Sequence, residues 1–121
     1  MAMMRINVCY LQPADSETFF KHFEEVHVPL VKEIPGLGSF EWTKIIGTGP
    51  DGPPKYALVT QLTFGSTQLA GAGMNSPQGQ AATTDMNEFA PDGTEIFVGE
   101  MQVAELTASG AGESTSRWKS Q

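Results

Sequence analysis

DSETFFKHFEEVHVPLVKEI, residues 15–34, carries its apolar side chains at Phe19, Phe20, Phe23, Val26, Leu30, Val31 and Ile34. Recurrence at three and four residues is the period of an amphipathic helix. His27 lies on that stripe, four residues after Phe23 and four before Val31. Pro29 follows two residues later. It has no N–H to donate and crowds the carbonyl of Glu25, so a kink is expected beside an inward-facing imidazole. Asp15 or Ser16 can cap the helix at its start. Pro35-Gly36-Leu37-Gly38 ends it, because Gly tolerates the left-handed C-cap and Pro cannot continue the ladder.

Outward from this helix the pattern changes to strands. Met4–Leu11 alternates Ile6, Val8 and Tyr10 against Arg5, Asn7 and Cys9, the period of a strand. Ser39–Gly47 and Lys55–Phe64 read as a second and a third strand, joined by the turn-forming TGPDGPP. Ser66 can cap a short helix to about Met74, and Ser76-Pro77 opens another that carries Ala82, Asp85, Met86 and Phe89. Gly71, Gly73 and Gly79 are expected to weaken this region by roughly 1 kcal/mol each relative to Ala. Ala90-Pro91-Asp92-Gly93 closes it, and Thr94–Leu106 forms the last strand. Residues 1–106 thus make one domain. Residues 107–121, polar apart from Trp118, read as a flexible tail.

Strand, helix, strand, strand, helix, strand is the βαββαβ order of an α+β, ferredoxin-like sandwich: an antiparallel sheet with both helices on one face. The other face is then expected to be bare and apolar, which predicts a partner. Two copies meeting face to face would bury it and enclose a cavity.

Composition narrows the partners. Seven Lys and Arg stand against fourteen Asp and Glu, for a net charge of −7 over 121 residues. Binding to phosphate backbones needs clustered basic side chains, so nucleic acid and anionic membrane surfaces are not expected as partners. No stretch approaches the ~20 apolar residues of a membrane span. One Cys excludes an internal disulfide and fits the cytoplasm. Cys9 reads as a small strand hydrophobe.

His27 is the candidate for chemistry. It is either a core-edge histidine or a general acid–base residue at the mouth of the cavity, since an imidazole moves protons near neutral pH. His22 lies five residues earlier, about 140° around an α-helix, and is expected to be solvated. The chain has no other His and no Cys pair. Neither a metal site nor a cofactor is therefore expected. Candidates to line the cavity are Tyr10, Trp42, Tyr56, Gln61, Phe64 and Phe97, although alternation alone does not say which of them share a face. Asp85 is either an exposed helix acid or, if it faces His27, the group that orients the imidazole. Neither a nucleophile elbow nor a phosphate loop is present.

Six segments, taken in order, resemble the EthD family: Arg5–Leu11, FKHFEEVHVPLV, IPGL, YALVTQLTF, SPQGQAATTDMNEFA and FVGEMQ. The resemblance covers about Met4 to Val103. It implies a dimeric α+β barrel of ferredoxin-like subunits and assigns the family's helix histidine to His27. The family takes its name from a small protein linked to ether degradation beside an oxidation system. Related dimeric barrels include polyketide cyclases, muconolactone isomerases and monooxygenases, and the fold cannot choose among these.

The residues admit two functions of different class. One is a catabolic or secondary-metabolic enzyme, a homodimer in which His27 moves a proton on a small apolar carbonyl or aromatic compound. Its reaction would be of cyclase, isomerase, decarboxylase or cofactor-free oxygenase type. Tyr10, Trp42, Gln61, Phe97 and Asp85 would contact the substrate. The other is a non-catalytic protein that binds such a ligand or assists an oxygenase system.

Overall fold

The computed structural model describes residues 2–47 and 52–105. Four strands, β1 (Met4–Leu11), β2 (Leu37–Lys44), β3 (Tyr56–Phe64) and β4 (Glu95–Glu100), form one antiparallel sheet in the order β2-β3-β1-β4. The central pair is in register from Met4 opposite Phe64 to Tyr10 opposite Leu58. This is the ferredoxin-like arrangement expected from the order of elements. The last strand is shorter than Thr94–Leu106: regular pairing ends at Glu100, one further bond joins the Met101 N–H to the Met3 carbonyl, and Leu106 lies outside the described residues. So does the 107–121 tail.

Capping places the helices where the polar punctuation stands. The Asp15 carboxylate accepts from the Thr18 N–H at 3.1 Å and starts α1 (Ser16–His22). Ser66 and Ser76 do the same for α3 (Thr67–Asn75) and α4 (Pro77–Phe89), accepting from the Leu69 and Gly79 N–H groups at 3.1 and 3.0 Å. Pro77 occupies the first turn of α4, where its missing N–H leaves no bond unmade.

The helix over residues 15–34 is not one helix. Between α1 and α2 (Val28–Lys32) runs a π-helical turn, Phe23–His27, in which the Val28 N–H closes on the Phe23 carbonyl five residues back. The wider turn inserts one residue into the helical repeat. That insertion sets which side chains turn toward the sheet. Phe19 is buried before it, Phe23 and His27 within it and Val31 and Ile34 after it, while Val26 is turned outward and exposed. The expected stripe therefore loses Val26.

The helices pack on one face of the sheet in two adjoining clusters. Val8, Tyr10 and Leu58 meet Phe19 and Phe23; Leu62 and Phe64 meet Val31, Ile34 and Ala82. Close approach at the α3–α4 corner requires glycine. A Cβ on Gly79 would overlap the Gly73 carbonyl oxygen and come within 2.7 Å of the Met74 Cα, and one on Gly73 would come within 2.6 Å of the Pro35 carbonyl oxygen. Of these two glycines, read from the sequence as weak points, Gly79 lets α4 seat against α3 and Gly73 lets α3 seat against Pro35 and Phe64. Gly71 meets nothing within 4 Å.

The uncovered face corrects the expectation of a bare apolar surface. Arg5 donates to Thr63 at 3.1 Å, Gln61 to Asn7 at 3.3 Å, and Asn7 to the Phe97 carbonyl at 3.4 Å, a polar row across the three strands β3, β1 and β4. Tyr56 donates to Glu95. Cys9, half-buried between them, has its thiol pKa raised by burial and then by the Glu95 charge. Most apolar side chains alternate to the helix side, while Val59 and the exposed Phe97 stand on this face with the polar row.

Candidate functional site

The π turn brings His22 and His27 onto one side of the helix, and Asp85 of α4 meets both. His22 Nε2 lies 2.8 Å from Asp85 Oδ1, and His27 Nδ1 lies 3.0 Å from Oδ2. Each carboxylate oxygen thus accepts from one imidazole. A carboxylate can only accept, so Nδ1 is the donor toward Asp85, and in the neutral ring that leaves Nε2 without a proton. Phe89, one turn beyond Asp85 on α4, packs against both rings, with centroids 4.7 Å from His22 and 5.0 Å from His27. Burial disfavours the charged imidazolium at His27 and lowers its pKa. The hydrogen bond to Asp85 and that carboxylate's charge pull the other way, and His22 adds a smaller push downward.

A cavity of about 190 Å³ opens beside His27 between the sheet and the chain's own helices. Ile6, Val8 and Tyr10 of β1, Thr60 and Leu62 of β3, and Ile96 and Val98 of β4 form its floor; Val31, Ile34, Met74, Ala82, Thr83 and Met86 close the helix side. Ile96 and Val98 stay exposed, so it reaches the surface along the β4 edge. The cavity expected between two facing sheets is therefore not the one His27 lines: the imidazole faces a space within its own subunit. No Lys, Arg, Asp or Glu side chain lines it among the described residues.

Tyr10, with Thr60 and Thr83, adds a hydroxyl to the lining. Its ring is fully buried, stacked on Phe89 at 5.6 Å, and its hydroxyl has no hydrogen-bond partner among the described residues. Burial and then the charge of Asp85 raise its pKa, keeping it protonated. The Thr60 hydroxyl on β3 offsets part of that rise but stands outside hydrogen-bond geometry.

Of the side chains singled out from sequence, His27, Asp85 and Tyr10 converge here. Trp42, Gln61 and Phe97 do not. Trp42 packs edge-on against Phe23 at 5.2 Å, beside a separate groove with Val28, Lys32 and Phe40. Gln61 and Phe97 stand on the opposite face of the sheet, in the row with Asn7. Their parity along β3 and β4 sends them away from the helices. His22 was not expected at the site, because an ordinary α-helix separates it from His27. The one available signal was Pro29, whose missing donor favours a rearranged turn just before it. Among the described residues no group of three His, Cys, Asp or Glu side chains is arranged to hold a metal ion, and no helix is long and apolar enough to cross a membrane.

Comparison with known proteins identifies the fold and the family. A 102-residue stretch is 39% identical to an uncharacterized 11.0 kDa protein in the thcB-thcC intergenic region of Rhodococcus erythropolis, covering 84% of this chain and 98% of that one. The fold is similar to an ethyl tert-butyl ether D (EthD) family protein from Bacillus halodurans, with TM-score 0.78, 29% identity and coverage of 83% and 99% of the two chains. At the level of fold it is also similar to a dimeric ferredoxin-like protein from Thermobifida fusca (TM-score 0.64, 12% identity, 83% and 92% covered). A hydroxynitrile lyase from Passiflora edulis is similar too (TM-score 0.69, 11% identity, 86% and 97% covered). The EthD domain itself is matched over residues 11–93, a span that holds both imidazoles and the carboxylate they share. With the domain matched over most of its length and a relative 39% identical across 84% of it, the chain belongs to the EthD family.

Proposed function

We propose that this protein is an enzyme that takes a proton from a small, neutral, apolar carbonyl or aromatic compound bound beside His27. His27 Nε2 is the base, Asp85 holds the imidazole in the tautomer that leaves Nε2 free, and the Tyr10 hydroxyl donates to the substrate oxygen. Abstraction of a proton next to a carbonyl moves negative charge onto that oxygen, where a buried donor stabilises it. One observation carries the reading: Tyr10, whose buried hydroxyl has no partner among the described residues, and His27, whose Nδ1 is held by Asp85, line the same mostly apolar cavity. A carboxylate or phosphate would find no cation among the lining residues and would meet the negative charge of Asp85 nearby, so the substrate is uncharged. The wider reaction class is cyclisation, isomerisation, decarboxylation or cofactor-free oxygenation. A hydroxynitrile lyase has the same fold, so the fold is compatible with catalysis.

The protein works as a homodimer in the cytoplasm; the dimeric relatives of this fold support the assembly and the lone cysteine suits the compartment. A ligand carrier or an accessory to an oxygenase is the second reading, favoured by the small volume and one-sided opening of the cavity.

Deuterium uptake from D2O at the α-carbon of acetophenone, followed by NMR, separates the two. Uptake should exceed the uncatalysed rate and fall ~10²–10⁴-fold in His27→Ala, the usual contribution of a positioned base. Acetophenone binding with no uptake leaves the carrier. Equal binding of benzoate would overturn the uncharged substrate class.

A further inference from the structure

We propose that His22 is a positioning residue of the site: it pins the carboxylate that orients His27 and takes the first proton entering the cluster, so that His27 stays neutral. The proposal rests on His27 being the base.

Both Asp85 oxygens are engaged, one by each imidazole, so the carboxylate cannot turn to offer both to His27. One carboxylate balances one imidazolium. A second proton would leave a net positive charge enclosed by Phe89, Phe23 and Tyr10, which desolvation makes costly. Two imidazoles on one carboxylate therefore take up protons as a coupled pair. Exposure decides which ring is charged first. The His22 side chain is 32% exposed and that of His27 is 7% exposed. His22 also lines an outer groove with Asp15 and Thr18, open to solvent, whereas His27 faces the interior. The titratable groups facing the pair are Asp85 from α4, Asp15 from the α1 cap and Tyr10 from β1. No Lys or Arg lines either the cavity or the outer groove among the described residues.

The consequence is a base that survives acidification. As the pH drops, the proton that would disable Nε2 of His27 is held one carboxylate away.

Histidine-ring NMR on the full chain between pH 8 and 4.5 tests this. His22 should protonate first while His27 keeps the neutral pattern with its proton on Nδ1. In His22→Gln the amide can still donate to Asp85 but cannot take a proton. There His27 should bind its proton about tenfold more tightly, a midpoint about one pH unit higher. Protonation of His27 before His22 in the wild type, or an unmoved His27 midpoint in His22→Gln, would overturn the proposal. The order of protonation in the wild type decides the matter even if the variant folds poorly. Neither readout needs a ligand, so failure here is distinct from absence of deuterium uptake.

Discussion

Asp85→Asn keeps the shape of the side chain and removes the one charge on which the cluster depends. Asn fills the same volume, so no cavity opens; what changes is the hydrogen bonding. Its single carbonyl can accept from one ring, and its amide N–H then faces the N–H of the other. The bond to His27 is buried and charge-assisted, a class worth roughly 1.5–3 kcal/mol. The bond to His22 is partly exposed and contributes about 0.5 kcal/mol. Together they predict a loss of about 2–3 kcal/mol. For a domain of about 100 residues that lowers the melting temperature by roughly 10 °C or more. His27 also loses the partner that fixes its tautomer, so α-deuterium uptake should drop ~10²–10⁴-fold. Thermal melting by circular dichroism and ring NMR are the assays. A melting temperature within about 2 °C of the wild type, with an unchanged His27 Nδ1–H signal, would refute the shared carboxylate.

Three further outcomes are expected. Tyr10→Phe removes a buried hydroxyl that has no hydrogen-bond partner among the described residues, so the free protein should melt at the same temperature or higher. Acetophenone affinity should nevertheless fall by about five- to tenfold, the loss of one hydrogen bond of roughly 1 kcal/mol; calorimetry measures the second and melting the first. Gly79→Ala should destabilise by about 2–3 kcal/mol through overpacking against α3, whereas Gly71→Ala, with open space around it, should stabilise by about 0.5–1 kcal/mol; urea titrations of the pair give both. The pKa of buried His27 lies below its unfolded value of about 6.5, so the unfolded chain binds more protons just below that pH. Its contribution to stability is present above about pH 6.5 and lost as the pH falls through the folded value, and His27→Gln should flatten the fall in urea midpoint over that window.

Much of the fold was legible because polar punctuation and apolar period agree along the chain. Asp15, Ser66 and Ser76-Pro77 mark the helix starts, and Ile6, Val8 and Tyr10 mark the buried side of β1. The site was half legible. His27 stood out because it falls in the row of Phe23 and Val31, and Asp85 because a carboxylate on α4 could reach it. His22 could not be placed, because the angle between residues five apart depends on how the turn between them closes, and an α period was the only one the pattern declared. Gln61 and Phe97 were misplaced for a different reason. Both faces of β3 carry apolar side chains, so alternation defines two sets without saying which one the helices cover. The polar row Arg5, Asn7, Gln61 and Thr63 resolves that only once strand register is known.

The seating of α4 on bare backbone at Gly79 has a mechanical consequence. A helix anchored so tightly at its first turn behaves like a beam clamped at one end. Asp85 and Phe89 ride farther along that beam, so the clamp sets where their backbone stands before the two imidazoles engage the carboxylate. Loosening at the elbow would swing both together, dispersing the two rings and their carboxylate while the four strands stayed paired.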